Sequence, residues 1–407
     1  MHGQTEQATN GSTAEPSGPS SLTDSPETVR LRNALVAQLE REGTIRDTRI
    51  AAALRRVPRH AFVPELPAAR AYRDEVVPVK YENQEPVSTL SQPSAIVTML
   101  EQLELAPGLR VLEVGAGTGY NAALLAELVE ADELVSAIDL DDDLTARARR
   151  ALDATGHAGL RIVTGDGFYG LPQRAPFDRI ELSVATRIIS PHWVEQLVEG
   201  GLLVVPLHLK GLPFLTPALR KHGDTLRSES IRACTFVLLR GTGAAERATF
   251  RLPVRPELRF VWESDDEFPA GLLTRILKRE GRARGELPVS WAAATHLLLT
   301  HEDAFYAETA DRRLRGIALF DRASESLAVL ISATDGWGAS SAITYGDETA
   351  YERLSAALQD WVNQGRPGLR ELRLRAVPAG TDVELQPGEH RIPKPYFDLI
   401  ASYHPRV

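Results

Sequence analysis

From residue 110 onward, short apolar runs alternate with segments whose apolar positions recur every three to four residues. This pattern predicts strands over 110–114, 134–138, 160–163, 178–183 and 202–207, with helices over 119–130, 143–154 and 191–198. Strands separated by helices of this length form βαβ units. We therefore predict an α/β fold with a doubly wound, mainly parallel sheet, which binds ligands at the carboxyl ends of its strands.

Helices are predicted before this sheet, and a different pattern after it. Apolar spacing indicates helices from Val29 to Gly43, from a cap at Asp47 to Leu54, and over 96–105. Residues 1–26 contain hardly any large apolar side chain, so we expect a disordered tail. Beyond about residue 215, the pattern predicts strands over 230–239, 248–252, 258–262, 317–320, 327–331 and 371–377, helices near 269–279 and 347–364, and a helix or strand over 291–299.

Length supports a division into two domains. The chain has 407 residues, whereas single hydrophobic cores stop growing at roughly 250 to 300 residues. We predict a ligand-binding α/β domain over 27–215 and a C-terminal α+β domain over 216–407.

Composition restricts the partners and the compartment. The net charge of −9 disfavours nucleic acid, whose phosphates require clustered Lys and Arg. Cys234 is the one cysteine, which excludes a disulfide framework and a cysteine-rich zinc site. We see no secretory signal and no apolar run long enough to span a membrane, so we expect a cytoplasmic protein. The histidines show no metal-ligand spacing, and we expect no metal.

The segment from Val111 to Tyr120, VLEVGAGTGY, carries the strongest chemical signal. An apolar strand containing Glu113 runs into Gly115, Gly117 and Gly119, where missing side chains allow a tight turn and a ligand against the backbone. The spacing differs from the dinucleotide pattern and lacks the lysine of a phosphate loop. A cofactor loop and a bare structural turn both remain open.

Two further strand ends carry acidic residues. Asp139 follows the second strand at the position where an acidic residue accepts hydrogen bonds from ribose hydroxyls. Asp166 and Gly167 follow the third strand, where a carboxylate can accept from an adenine amino group. The alternative is that both aspartates are helix caps or turn formers.

Together these motifs resemble the class I methyltransferases that bind S-adenosylmethionine. The segments VPRHAFVPE (57–65), AYRDEVVPV (71–79), TLSQPSAIVTML (89–100), GDGFYGLPQRAPFDRI (165–180) and QLVEGGLLVVPL (196–207) are similar to the protein-L-isoaspartate O-methyltransferases. The resemblance covers roughly residues 45–210, with its blocks in the order found in that family.

This resemblance implies roles for individual residues. Ser91 would lie between the methyl donor and the substrate carboxylate as the catalytic residue; its alternative role is a helix cap before Ile96 or a turn at Pro93. The residues implied to bind S-adenosylmethionine, and its product S-adenosylhomocysteine, are Glu113, Gly115, Ala116, Gly117, Thr118, Gly119, Asp139, Leu140, Asp166 and Gly167. Those implied to contact the substrate are Thr89, Ser91, Gln92, Ala185 and Thr186.

A carboxyl acceptor explains why no catalytic base is evident. A carboxylate with a pKa of ~4 is ionised near neutral pH and attacks a methyl group without losing a proton. Alignment then supplies the rate, by up to ~7 to 11 kcal/mol. The resemblance implies that the methyl ester closes to a succinimide, which water opens to aspartate or isoaspartate.

Three functions remain open. The long C-terminal region, and the altered residues 83–93 and 183–186, resemble actinobacterial methyltransferases that modify ribosomally made peptides such as lanthipeptides and graspetides. That comparison favours an enzyme for a modified precursor peptide, gripped by residues 278–284, 312–315 and 335–338. The alternatives are general protein repair and a non-catalytic binding protein. Trp291, Trp337 and Trp361 are equally consistent with a core, and the basic stretches with solvated faces. The sequence leaves the oligomeric state open.

Overall fold

The computed structural model describes residues 24–244, 249–252, 258–261, 269–288, 290–309, 314–333 and 339–404. Its helices in chain order are α1 (Pro26–Arg41), α2 (Thr48–Arg56), α3 (Ala68–Ala71), α4 (Pro93–Gln102), α5 (Tyr120–Val129), α6 (Asp142–Ala154), α7 (Pro191–Gln196), α8 (Ala270–Leu277), α9 (Trp291–Thr300) and α10 (Thr349–Asn363).

The strands before residue 234 are β1 (Val77–Glu82), β2 (Glu85–Leu90), β3 (Val111–Val114), β4 (Val135–Asp139), β5 (Arg161–Thr164), β6 (Phe177–Leu182), β7 (Leu197–Val204), β8 (Leu207–Leu209), β9 (Leu212–His222) and β10 (Thr225–Ala233). Those that follow are β11 (Thr249–Leu252), β12 (Leu258–Val261), β13 (Arg282–Pro288), β14 (Ala304–Thr309), β15 (Leu314–Asp321), β16 (Ser326–Ala333), β17 (Ala339–Tyr345), β18 (Leu372–Pro378), β19 (His390–Ile392) and β20 (Phe397–Tyr403).

The main sheet confirms the predicted doubly wound α/β fold. Its strand order is β19-β20-β18-β10-β9-β7-β6-β3-β4-β5, and β7, β6, β3, β4 and β5 are parallel to their neighbours in this run. The chain moves outward from β3 through β4 to β5, and then returns to β6 on the other side of β3. The order therefore reverses beside β3, which is where such sheets bind ligands.

The main sheet continues past the predicted domain boundary at residues 215/216. β9 pairs antiparallel with β7, β10 pairs with β9, and β18 pairs with β10. Residues before and after the boundary thus share one sheet, and the boundary does not coincide with a sheet edge. The division of the chain into folding units stays a prediction.

A second, antiparallel sheet accounts for the α+β character of the C-terminal region. Its order is β11-β12-β14-β15-β16-β17-β13. One apolar cluster contains Leu203 of β7, Leu297 of α9, Leu319 of β15 and Leu399 of β20. The two sheets therefore contribute to one continuous core.

Several local predictions differ from the structure. Residues 234–239 do not continue β10, which ends at Ala233. Residues 24–26, placed in the predicted tail, cap and begin α1, where Asp24 pairs with Arg32 at 2.7 Å. Residues 1–23, residues 335–338 with Trp337, and residues 312 and 313 of the basic stretch lie outside the described residues.

Candidate functional site

The glycine loop between β3 and α5 is shaped by backbone conformation. Gly115, Gly117 and Gly119 have φ values of +92°, +51° and +87°, in the left-handed region that favours glycine. A Cβ atom on Gly115 would lie 2.6 Å from Cγ1 of Val184, so a side chain would not fit there. The backbone N–H of Gly115 donates to the Ile138 carbonyl at 2.8 Å, which fixes the loop to β4.

Asp139 ends β4 and holds the same loop. Its Oδ2 accepts from the Gly117 N–H at 2.8 Å, and its Oδ1 accepts from the Asp141 N–H at 3.2 Å. Burial raises the pKa of Asp139, while these two hydrogen bonds oppose that change. The N-cap of α6 is Asp141, so Asp139 is not the cap of that helix. Each carboxylate oxygen retains a second lone pair for a ligand.

Asp166 has the alternative role that the sequence allowed. It is the N-cap of a short 3₁₀ turn over Gly167–Tyr169, and its Oδ1 accepts from the Phe168 N–H at 3.0 Å. Its Oδ2 accepts from the Thr242 N–H at 2.7 Å. The carboxylate is thus bonded to a distant segment of the chain, residues 237–242.

A cavity of about 40 Å³ lies between the strand ends. Of the predicted cofactor residues, it is lined by Gly115, Gly117, Asp139, Leu140 and Gly167. Its other lining residues include two segments that we together call the roof: residues 87–89 of β2 and residues 237–240.

Ion pairs tie the roof to α6 and to the β1–β2 hairpin. Arg240 pairs with Asp141, and with Glu82 at 3.0 Å. Lys80 pairs with Asp141 at 3.0 Å and with Asp143 at 2.8 Å.

The volume of this cavity is small for a cofactor site, because ligand pockets usually have volumes of roughly 300 to 1,000 Å³. A nucleoside-sized ligand therefore requires the roof to move.

Glu113 does not line this cavity, and its predicted contact with the cofactor stays a prediction. It is fully buried, and its Oε1 accepts from Asn121 Nδ2 at 2.8 Å and from Ser183 Oγ at 2.6 Å. Asn121 Nδ2 also donates to Glu181 Oε2 at 2.8 Å, and Glu181 lies opposite Glu113 in the β3–β6 register. The side chain joins β3, β6 and α5 behind the glycine loop. Ala116 and Thr118 are likewise buried.

Ser91 lines a second, larger cavity of about 650 Å³, together with Thr89 and Gln92. Ser91 is not a helix cap. Gln92 holds the N-cap position of α4, and the Asp74 carboxylate accepts from the Ser94 N–H at 2.8 Å and from Gln92 Nε2 at 2.9 Å.

The fully buried Arg59 also holds the Ser91 segment. Its guanidinium donates to the Ser91 carbonyl at 2.7 Å and to the Ala71 carbonyl at 2.8 Å, and lies over the Tyr120 ring. Burial lowers the pKa of Arg59. Sequence reasoning missed Arg59 and Asp74 as positioning residues; both lie within the family-like segments quoted above.

Ala185 and Thr186, predicted to contact the substrate, are buried beneath the roof. Ala185 donates its N–H to the Val237 carbonyl at 2.8 Å and accepts from the Leu239 N–H at 2.7 Å. Thr186 donates to the Pro206 carbonyl at 2.9 Å and is 2% exposed. Neither side chain presents a surface to a substrate in this arrangement, and their predicted role stays a prediction.

The two cavities share Thr89 and Val237 as lining residues. A small ligand held by the glycine loop would therefore adjoin an acceptor bound beside Ser91. In the described part of the chain, no group of three or more His, Cys, Asp and Glu side chains is placed to hold a metal ion. Nor does any described helix have the length and apolar character needed to cross a bilayer.

Comparison with known proteins adds a family match. Residues 30–243 match the family model described as protein-L-isoaspartate(D-aspartate) O-methyltransferase. The chain is 42% identical over 218 residues to protein-L-isoaspartate O-methyltransferase from Roseiflexus sp. (strain RS-1), covering 53% of this chain and 95% of that protein. It is 37% identical over 222 residues to protein-L-isoaspartate O-methyltransferase 2 from Shewanella sediminis, covering 54% of this chain and 86% of that protein.

Solved structures show similar but looser matches. A protein-L-isoaspartate O-methyltransferase aligns over 84% of this chain and 96% of its own, with 24% identity and a TM-score of 0.49. A Plasmodium falciparum protein, described as a putative member of the same class in complex with S-adenosyl-L-homocysteine, covers 51% of this chain and 98% of its own, with 20% identity and a TM-score of 0.44.

Proposed function

Because the chain belongs to the protein-L-isoaspartate(D-aspartate) O-methyltransferase family, and is thus an S-adenosylmethionine-dependent protein carboxyl methyltransferase, we propose that it methylates an isoaspartyl or aspartyl carboxylate held beside Ser91. The observation that carries this proposal is that Thr89 and Val237 line both cavities. It supports transfer from a donor over the glycine loop to an acceptor in the second cavity, the one lined by Ser91, which we call the Ser91 groove.

The residues lining the first cavity suit the cofactor in their chemistry. Gly115 and Gly117 leave their backbone accessible, Asp139 offers carboxylate lone pairs to ribose hydroxyls, and Gly167 leaves space beside Val114. S-adenosylmethionine, when bound, supplies an electrophilic methyl group.

The residues around Ser91 are proposed to orient the acceptor. Thr89 and Ser91 offer hydroxyl groups to a carboxylate, and the position of Ser91 is fixed through its carbonyl by Arg59. An ionised carboxylate needs no proton removed, so orientation is the contribution asked of these side chains.

Two substrate classes are consistent with this site. General repair of isoaspartyl residues is supported because roughly half of the chain spans 95% of a repair-type relative. The other class is a single modified peptide, whose aspartate the enzyme would convert through succinimide to isoaspartate. This hypothesis is supported because residues 369, 370 and 373 line a cavity that adjoins the Ser91 groove. These residues lie beyond the family match.

The test compares substrates with labelled S-adenosylmethionine. The full chain is incubated with unrelated isoaspartyl peptides and with a modified precursor peptide encoded beside its gene. Mass spectrometry should show a gain of one methyl group and then the loss of water relative to the starting peptide. Turnover of unrelated isoaspartyl peptides supports repair, whereas activity confined to the precursor supports the dedicated enzyme. Absence of methylation on every peptide contradicts the proposed function.

A Ser91→Ala variant tests the proposed acceptor site. We expect at least a tenfold loss of turnover, a rough figure for lost alignment, with unchanged affinity for S-adenosylhomocysteine. Ser94→Ala, in α4 at the same cavity, is the matched hydroxyl control and should retain activity. Titration calorimetry gives the affinity and a labelled-methyl assay gives the rate. A Ser91→Ala rate equal to that of wild type would remove Ser91 from the mechanism.

A further inference from the structure

A third cavity, of about 700 Å³, extends the Ser91 groove. It shares Thr44, Thr98 and Ala233 with the groove, so the two cavities are direct neighbours. Its walls come from the α1–α2 loop, α4, β10 and the residues leading into β18. A peptide whose acceptor residue lies beside Ser91 can therefore continue into this cavity.

Four arginines line the third cavity: Arg46, Arg232, Arg370 and Arg373. Three glutamates line it as well: Glu42, Glu101 and Glu229. Glu101 accepts from the backbone N–H groups of Arg46 and Asp47 at 2.7 and 2.8 Å and pairs with the Arg46 guanidinium at 3.5 Å, and Glu229 pairs with Arg220 at 2.8 Å.

Arg46 is thus paired within the cavity, whereas Arg232, Arg370 and Arg373 form no ion pair in the part of the chain that the structure describes. The guanidiniums of Arg232 and Arg373 donate to backbone carbonyls of neighbouring residues. Burial lowers the pKa of Arg232, and repulsion from Arg46 and Arg370 lowers it further. Four arginines against three glutamates leave the cavity with a small excess of positive charge, although the chain as a whole carries −9.

The neighbouring strands repeat this pattern. Arg227 of β10 lies directly opposite Arg375 of β18, an arrangement that is destabilising for like charges. Glu389 bonds Arg375 through both carboxylate oxygens at 3.1 Å. Arg373 lines both the third cavity and the cavity containing Arg227. Excess positive charge thus continues along β10 and β18, away from Ser91.

We propose that Arg232, Arg370 and Arg373 bind acidic side chains of the substrate peptide on one side of the residue that is methylated. This inference rests on the proposed function of the Ser91 groove. The guanidinium fork matches a carboxylate in two parallel hydrogen bonds, and a peptide is the occupant that the adjoining groove requires. Arg370 and Arg373 lie outside the family match, whereas Arg232 lies within it, so this selectivity depends on the C-terminal extension as well as on the family-like region.

Peptide binding provides the test. Three fluorescently labelled aspartyl peptides of equal length carry three glutamates before the acceptor, three glutamates after it, or glutamines at both places. We expect the full chain, saturated with S-adenosylhomocysteine, to bind one acidic peptide about tenfold more tightly than the neutral one, since exposed ion pairs are individually weak but act together here. This preference should decrease as salt is added.

Charge-matched variants identify the responsible residues. The triple variant R232Q/R370Q/R373Q should bind all three peptides with the affinity of the neutral one. The control R30Q/R150Q/R322Q removes the same charge from exposed positions outside these cavities and should keep the preference. An acidic preference that survives in the first triple variant, or a wild-type chain without a preference, overturns the inference.

Methyl transfer to the isoaspartyl form of the neutral peptide is measured separately. Its failure would count against the proposed function, whereas the binding comparison still decides the role of the arginines.

Discussion

At the scale of single residues, the unusual chemical feature is a pair of buried carboxyl groups behind the glycine loop. Glu113 and Glu181 are fully buried and share the amide of Asn121. Burial raises the pKa of Glu113 to about 7; burial and then the charge of Glu113 raise that of Glu181 to about 8. Two adjacent anions in a nonpolar interior are costly, so the pair retains a proton near neutral pH.

This pair predicts a loss of stability in mild alkali. The pKa of each carboxyl group is higher in the folded chain than its ordinary value of 4.5. The stabilisation that comes from this difference is therefore complete below pH 4.5. It is lost as the pH rises through about 7 and 8. Glu181→Gln keeps the position neutral and should be more stable than wild type by roughly 1 to 3 kcal/mol at pH 9.

The measurement is urea unfolding at pH 5.5 and pH 9. The exposed Glu384→Gln is the control and should keep the wild-type pH dependence. Equal pH dependence in wild type and Glu181→Gln would show that the pair is not protonated.

At the scale of elements, the loop between β3 and α5 depends on glycine geometry. Gly115→Ala should lower the free energy of unfolding by about 1 to 2 kcal/mol, because alanine disfavours the left-handed backbone at this position. The contact of the added Cβ atom with Val184 should lower it further. The displaced loop should also weaken S-adenosylhomocysteine binding at least tenfold, by calorimetry. Gly108→Ala has a similar φ of +83° but open space around its Cβ. If both variants bind equally well, loop shape does not govern the cofactor site.

The ion pairs of Arg240 give a second prediction at this scale. Arg240→Gln releases residues 237–240 from Asp141 and Glu82. Because exposed pairs contribute about 0.2 to 1 kcal/mol each, S-adenosylhomocysteine should dissociate roughly two- to tenfold faster in stopped-flow measurements. Arg161→Gln, an exposed change in β5, serves as the control. Unchanged dissociation in Arg240→Gln would mean that these pairs do not limit opening.

The elements also show what a sequence pattern can predict. The parallel strands lie within one residue of their predicted limits, because apolar runs bounded by turns define a buried strand locally. The exception is β7, which begins five residues before the predicted 202 and ends three residues before the predicted 207. Residues 234–239 were predicted to continue the strand, and the burial of Cys234 and Phe236 alternates as in a strand, but Leu239 rather than Leu238 is buried. They nevertheless pair with Ala185 at a single bridge, a tertiary contact that no local pattern contains. The same limit applies to Glu113, whose partners are residues 121 and 183.

At the scale of the whole molecule, the pairing of β18 with β10 joins the C-terminal region to the main sheet. The pattern over 371–377 predicted a strand, but did not indicate that β18 would join β10 in the main sheet. That pairing places Arg370 and Arg373 beside the groove of the methyltransferase region. The paired residues of β10 and β18 lie about 150 positions apart in the chain, so their pairing depends on the completed sheet and no local pattern indicates it. The predicted boundary at 215/216 stays a prediction.

Truncation after Gly243, where the family match ends, tests this dependence. Removing β18–β20 would leave β10 as an exposed edge, and would remove Leu399 and its neighbours from the shared apolar core. We expect aggregation on size-exclusion chromatography and a lower thermal midpoint by circular dichroism. The milder Leu399→Ala, which empties a buried position in β20, should cost about 2 to 5 kcal/mol in the full chain. A truncated chain that elutes as one symmetric peak and unfolds at the wild-type midpoint would show that residues 30–243 fold independently, and that the C-terminal strands are attached to the sheet without supporting it.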